Sequence, residues 1–251
     1  MTLDFLAEYD LTHTDWLWLI FCALCVGMAK TGIGGLGMLI VPILASVLGA
    51  KASTGFLLPM LIMGDIFGVI YYHRHAEIKI ILRLAPATII GVLVALGVGQ
   101  WISEGQFQQL LALVIGASVL IMVLRKKSAT DMTDQFWLTH LVGFLGGFTT
   151  MIGNAAGPVM SIYFLSRNLP KNNFIGTSAW FFLGVNVFKV PFHIIVWQTI
   201  NWETFSFNLL LFPAIVLGVF FGLWIVRKIP EKPYRIFILA SIGLAALKLF
   251  F

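Results

Sequence analysis

The chain has 251 residues, of which 59% are hydrophobic and only 11% are charged. Its mean hydropathy is +0.96, whereas a soluble domain carries about a quarter charged residues. The composition therefore excludes a soluble protein and predicts an all-α polytopic membrane protein. The net charge of +5 does not indicate nucleic-acid binding, because the basic residues cluster in short loops between apolar runs.

The N-terminal segment, residues 1–15, is polar and contains four acidic side chains. It lacks the basic start of a signal peptide, and we predict that it lies on the extracytoplasmic side. The apolar run that follows, 16–48, is too short for two full spans of about 20 residues each. Four glycines within residues 32–37 disfavour a continuous helix. We therefore predict a hairpin of two short helices whose tip lies deep in the membrane.

Two cysteines, Cys22 and Cys25, lie in the first arm of this hairpin. A zinc site needs about four ligands, and no further cluster of His or Cys lies nearby in the sequence. We interpret them as two buried free thiols, with a reactive thiol pair as the alternative.

The rest of the chain divides into three full spans, a linker and a second half of the same design. The predicted spans of the first half (16–124) are 55–72, 84–101 and 106–124. A cytoplasmic linker, 125–135, leads to the second half (136–251), with a hairpin at 136–167 and spans at 174–196, 205–226 and 234–251. The basic loops are 73–83, 125–135, 167–173 and 227–235, and the positive-inside rule places them in the cytoplasm.

The two halves match in sequence as well as in layout. LAPATIIGV (84–92) aligns with LFPAIVLGV (211–219) at an offset of 127 positions. Near the hairpins the offset is 119 to 121, which pairs Asp65 with Asn186. Because each half has three full spans, we predict that the second half is inverted relative to the first. Such inverted repeats place their substrate site near the midplane, between the repeats.

The two hairpin tips carry the residues that we predict to bind substrate. New helices are predicted to start at about Leu36 and about Pro158. Helix starts have free N–H groups and a partial positive charge, so two of them facing one cavity favour a small anion. The predicted substrate-binding residues are Lys30, Thr31, Gly34, Gly35, Thr149, Thr150, Gly153 and Asn154.

Ionisable residues within membrane spans are rare and are candidates for function. Asp65, Asn186 and Lys189 are our candidates for coupling or gating, and Asp65 can pair with Lys30 or Lys189, or take a proton. Each has a structural alternative: an ion pair for either lysine and for Asp65, and a helix-capping role for Asn186. We expect no resident cofactor or metal, and a proton or sodium ion is the candidate coupling ion.

The sequence resembles the TauE/SafE family of sulfite exporter-like permeases, also grouped as toluene-sulfonate uptake permeases. The run GMAKTGIGGLGMLIVPIL, followed by GFLLPMLIMGDIFGVIYYHR, is similar to the family's first repeat, and GNAAGPVMSIYFL is similar to the second. The resemblance implies transport of sulfur-containing anions across the bacterial cytoplasmic membrane. It assigns the motif positions to Lys30, Thr31, Gly34, Gly35, Gly153 and Asn154.

The sequence thus predicts a multi-pass secondary transporter that moves sulfite or an organosulfonate by alternating access around the two tips. Its expected partners are a small anionic substrate and the lipid bilayer, and a homo-oligomer is compatible with the sequence. A transporter for a carboxylate or a cation, and an uncoupled anion channel, are the alternatives. We do not expect an enzyme, because the loops hold no nucleophile–base pair and no cluster of metal ligands.

Overall fold

The structure is a computed structural model, which describes residues 11–33, 36–124, 136–231, 233, 234 and 236. The regular elements that it describes are helices: α1 (His13–Lys30), α2 (Gly37–Leu48), α3 (Ala50–Tyr72), α4 (Ile78–Trp101), α5 (Glu104–Leu124), α6 (Phe136–Gly153), α7 (Gly157–Ser166), α8 (Lys171–Ile195) and α9 (Trp202–Lys228), with a short 3-10 turn (His73–His75) after α3. The predicted span 234–251 lies almost entirely outside the described residues.

The described helices make this a polytopic membrane protein. Five of them, α3, α4, α6, α8 and α9, are long and apolar enough to cross a bilayer. The outer faces of α4 and α9 expose large apolar side chains such as Leu82, Leu217 and Phe220, which a soluble protein would bury.

Both hairpins break close to the predicted helix starts at about Leu36 and about Pro158. Helix α1 ends at Lys30 and α2 begins at Gly37, while α6 ends at Gly153 and α7 begins at Gly157. The first arm of each hairpin is longer than the second: α1 and α6 each have 18 residues, whereas α2 has 12 and α7 has 10. At 1.5 Å per residue each first arm is roughly 27 Å long.

Helices of the two halves pack against one another in a reciprocal pattern. Helix α1 packs most extensively on α9, and α6 packs most extensively on α4. A β-carbon at Gly27 would collide with the carbonyl oxygen of Ile215, and one at Gly147 would collide with that of Thr88. These two contacts are related by the sequence offsets of 120 and 127, so both crossings use the same backbone approach.

A second pair of contacts follows the same offsets. Lys51, in the first turn of α3, donates from Nζ to the carbonyl of Gly99 near the end of α4 (2.9 Å). Lys171, in the first turn of α8, donates to the carbonyl of Val226 near the end of α9 (3.1 Å). Each lysine thus donates to a backbone carbonyl in the last turn of a helix, where the intrahelical donors run out. These contacts support a structural duplication, and the opposite orientation of the halves in the bilayer stays a prediction.

Helices α3 and α8 form the centre of the fold and pack against each other. Helix α3 is buried along most of its length, which leaves a polar side chain in its middle away from lipid. Cys22 and Cys25, on α1, are buried free thiols as predicted.

Candidate functional site

A cavity of about 130 Å³ lies between the two hairpin tips and the central helices α3 and α8. This is several times the space that one water needs. The end of α1 and the start of α2 line it on one side, and the end of α6 and the start of α7 line it on the other. The residues that were predicted as substrate-binding, coupling or gating and that line the cavity are Lys30, Asp65, Thr150, Asn154 and Asn186.

The charged centre of the cavity is an ion pair between the first tip and α3. Lys30 Nζ, in the last turn of α1, lies 2.9 Å from Asp65 Oδ1. The Asp65 side chain is fully buried, whereas the Lys30 side chain is 12% exposed. Asn186, on α8, donates from Nδ2 to Asp65 Oδ2 at 2.7 Å. The carboxylate is therefore held from two helices, while the ammonium borders the cavity.

The ammonium of Lys30 also lies over an aromatic ring. Its Nζ is 4.7 Å from the centre of the Phe182 ring, a distance at which the ring face attracts a cation. Lys30 is thus fixed between a carboxylate and a ring, and its position at the end of α1 favours its positive charge.

The second tip is held from behind by Lys189, on α8. Its Nζ donates to the carbonyl of Thr150 (2.9 Å), to Thr150 Oγ1 (3.1 Å) and to Asn154 Oδ1 (2.6 Å). These acceptors are all neutral. Lys189 is fully buried and does not line the cavity, so it contacts the tip residues that do.

Asn154 connects the second tip to the first half of the chain. Its backbone has φ +53°, a left-handed conformation that asparagine tolerates better than most residues. Its Nδ2 donates to the carbonyl of Thr54 at 3.0 Å, near the start of α3. The same side chain therefore binds Lys189 on α8 and a backbone carbonyl on α3.

Both second arms begin at the cavity wall. Gly37, the first residue of α2, and Gly157, the first residue of α7, line the cavity. The residues before them, Leu36 and Ala156, give neither helix a side-chain cap. Two helix starts without side-chain caps thus point partial positive charge at one space.

Several predicted residues are not brought to the cavity. Thr31 is buried and donates its hydroxyl to the carbonyl of Gly27, on the face of α1 that meets α9. Thr149 donates to the carbonyl of Leu145 in its own helix. Gly153 contacts Leu111 of α5. The remaining two, Gly34 and Gly35, lie outside the described residues.

Sequence reasoning missed five polar or aromatic side chains of the cavity wall: Ser161, Phe174, Ser178, Phe182 and Tyr234. A lone serine in an apolar run gives little signal, which explains the two serines. Tyr234 had a weak signal, since its repeat partner is a phenylalanine. Its hydroxyl donates to the carbonyl of Gly32 at 2.8 Å, so the start of the last predicted span contacts the first tip.

The cavity follows α8 and not the equivalent part of α3. Phe174, Ile175, Ser178 and Ala179 of α8 line it. Their counterparts at an offset of 121 are buried in α3: Ser53, Thr54, Leu57 and Leu58. On that side the ring of Trp197 packs edge-on against Phe107 at 5.6 Å. The cavity therefore extends from the ion pair towards the start of α8, and the four counterparts on α3 do not line it.

This arrangement suits a small anion rather than covalent chemistry. It offers one ammonium, two helix starts and the hydroxyls of serine and threonine, and the bound carboxylate Asp65 lies behind the ammonium.

Comparison with known proteins assigns the chain to a family. The family model described as "Sulfite exporter TauE/SafE" matches residues 19–249. No curated protein and no solved structure matches the chain.

Proposed function

Because the chain belongs to the sulfite exporter TauE/SafE family of membrane transporters, we propose that it is a secondary transporter of sulfite or an organosulfonate. The proposed location is the cytoplasmic membrane, with the N-terminus outside and the four basic loops inside. In this orientation the cavity extends from the middle of the membrane towards the cytoplasmic end of α8.

One observation carries the proposal: the ammonium of Lys30 borders a cavity into which two helices begin. A sulfite or sulfonate group has three oxygens around one sulfur. It can accept a bond from an ammonium and from helix N–H groups at the same time. Ser161, Ser178 and Thr150 add neutral hydroxyls to the same wall.

The proposed mechanism is alternating access around this cavity. Anion binding would draw the two tips together, because Lys30 lies on one tip and the start of α7 on the other. Opening on the opposite side requires the packed side chains around Trp197 and Phe107 to separate.

The test is sulfite binding and sulfite flux with a matched pair of lysine variants. Lys30→Met removes the ammonium from the cavity, and Lys79→Met removes an exposed lysine far from it. We expect isothermal titration of the purified protein to show sulfite binding in wild type and Lys79→Met, with at least a tenfold loss in Lys30→Met. Sulfite flux into liposomes should follow the same order.

The same titrations separate the alternatives. Acetate that binds as tightly as sulfite and methanesulfonate would indicate a carboxylate transporter. A cation carrier would lose binding in Asp65→Asn and retain it in Lys30→Met. Flux that an imposed proton gradient cannot drive against the substrate gradient would indicate a channel. Equal sulfite binding by Lys30→Met and wild type would contradict the assignment of the cavity.

A further inference from the structure

Asp65 is the only one of the chain's acidic residues that falls inside a predicted span. It is fully buried, and two groups bind its carboxylate: Lys30 at Oδ1 and Asn186 at Oδ2. A buried charge that loses its partner is strongly unfavourable. The ionisation of Asp65 therefore depends on Lys30.

An anion in the cavity would compete for the same ammonium. Lys30 Nζ is 2.9 Å from Asp65 Oδ1, so an oxygen bound to Nζ from the cavity lies within a few ångströms of the carboxylate. Two negative charges that share a buried site cannot both ionise readily, and one of them takes up a proton. A sulfonate is a much stronger acid than a carboxylic acid, so the proton goes to Asp65.

The side chain of Asn186 contains a candidate hydrogen-bond acceptor for the protonated form of Asp65. Asn186 Oδ1 is buried and has no hydrogen-bond partner among the described residues, although Asn186 Nδ2 already binds the carboxylate. A half-turn of the Asn186 amide exchanges its nitrogen and oxygen, and the O–H of a neutral Asp65 can then donate to this oxygen. Asn186 is thus able to bind Asp65 in both protonation states, which an aliphatic residue at this position would not do.

We propose that Asp65 is the coupling-proton site, which takes up one proton when an oxyanion binds to Lys30. The inference rests on the proposed function. In the step, the carboxylate of Asp65 gains a proton from a hydronium ion in the cavity, which leaves water. The ammonium of Lys30 stays protonated and exchanges its carboxylate partner for the anion. A monoanion and a proton therefore bind together, and the charge of the site does not change.

The charged groups that face Asp65 agree with this exchange. Lys30 approaches from α1 and Lys189 from α8, the helix that also carries Asn186. Lys189 is bound to the neutral acceptors of the second tip, so it stays in place when the anion enters. Among the described residues no second carboxylate lines the cavity to take the proton instead.

The test counts protons taken up per anion in wild type and in the isosteric variant Asp65→Asn. Titration calorimetry with sulfite in buffers of different ionisation enthalpy gives this number. We expect wild type to take up one more proton per sulfite than Asp65→Asn, since the protonation of sulfite itself cancels between the two. Methanesulfonate does not titrate near neutral pH. Its affinity for wild type should fall up to tenfold for each unit by which the pH rises, and its affinity for Asp65→Asn should not change with pH.

The outcomes separate the two proposals. Equal proton uptake by wild type and Asp65→Asn, with binding intact in both, overturns the proton site alone. A wild-type protein that binds neither sulfite nor methanesulfonate overturns the proposed function and the proton site with it. If Asp65→Asn does not fold, infrared difference spectra of wild type decide: sulfite must produce a carboxylic-acid C=O band, and its absence refutes the proposal.

Discussion

The two hairpin tips occupy equivalent places but divide their charges differently. In the first half the lysine is on the tip, at Lys30, and its acceptor Asp65 is on the central helix α3. In the second half the equivalent tip position, at an offset of 120, is Thr150. Here the lysine is on the central helix α8, at Lys189, and its acceptors are on the tip. One contact is charged on both sides, and the other joins a cation to neutral groups.

A duplicated pair of tips can therefore supply two different functions. An ammonium that faces a cavity and is paired with a carboxylate can change partners when an anion arrives. An ammonium behind a tip, bound to a backbone carbonyl and an amide, keeps that tip in shape. We therefore assign substrate binding to Lys30 and the positioning of the second tip to Lys189.

The largest effect should follow from breaking the charged contact. Lys30→Met leaves Asp65 buried without a cation, which destabilises the fold by about 3–5 kcal/mol at a pH where Asp65 stays ionised and by less at low pH, where Asp65 is protonated. Thermal unfolding in detergent measures the change. The double variant Lys30→Met/Asp65→Leu removes both charges and should recover most of the stability without recovering sulfite binding. A single variant that unfolds at the wild-type temperature would show that Asp65 does not depend on Lys30.

A smaller effect should follow from breaking the neutral contact. Lys189→Met leaves the amide oxygen of Asn154 and the hydroxyl oxygen of Thr150 without their lysine donor, while the carbonyl of Thr150 keeps the N–H of Asn154. Unmade hydrogen bonds of this kind lower stability by about 1–3 kcal/mol each, and no carboxylate is left unpaired. Sulfite flux should fall because the second tip loses its support. If Lys189→Met loses as much stability as Lys30→Met, the contrast between the two tips is wrong.

The smallest effect should come from the tip hydroxyls that face away from the cavity. Thr31→Val and Thr149→Val each remove a hydroxyl that donates to its own helix, which contributes about 0.5–1.5 kcal/mol. Sulfite affinity by titration should remain close to that of wild type. Thr150→Val, on the cavity wall, serves as the matched comparison and should bind more weakly. Loss of sulfite binding in Thr31→Val would place that hydroxyl in the site after all.

Three features could be predicted from the sequence, each for a physical reason: the membrane-protein class, the helix breaks in the two hairpins, and the pairing of Asp65 with Asn186. Composition requires a membrane, and clustered glycines follow the end of α1, while α6 ends at Gly153, before the left-handed Asn154. The repeat offset paired Asp65 with Asn186, which the structure joins by a hydrogen bond of 2.7 Å.

The sequence could not predict which individual side chains face the cavity and which face a neighbouring helix. Thr31 follows Lys30 directly, and a helix turns by about 100° per residue, so one faces the cavity while the other meets Gly222 of α9. Likewise, Thr150 lines the cavity, while Thr149, the residue before it, donates its hydroxyl to its own helix. Hydropathy cannot fix this rotation, because lipid and protein interior are equally apolar.

The reciprocal crossings of α1 with α9 and α4 with α6 have a consequence for the origin and motion of the molecule. Each hairpin is fitted, backbone against backbone, to a span encoded in the other half of the gene. The two halves are interlocked like a dimer whose two subunits lie in one chain. We expect each rigid body that moves during transport to contain helices from both halves of the chain. The contacts of α1 with α9 and of α4 with α6 should stay intact within these bodies.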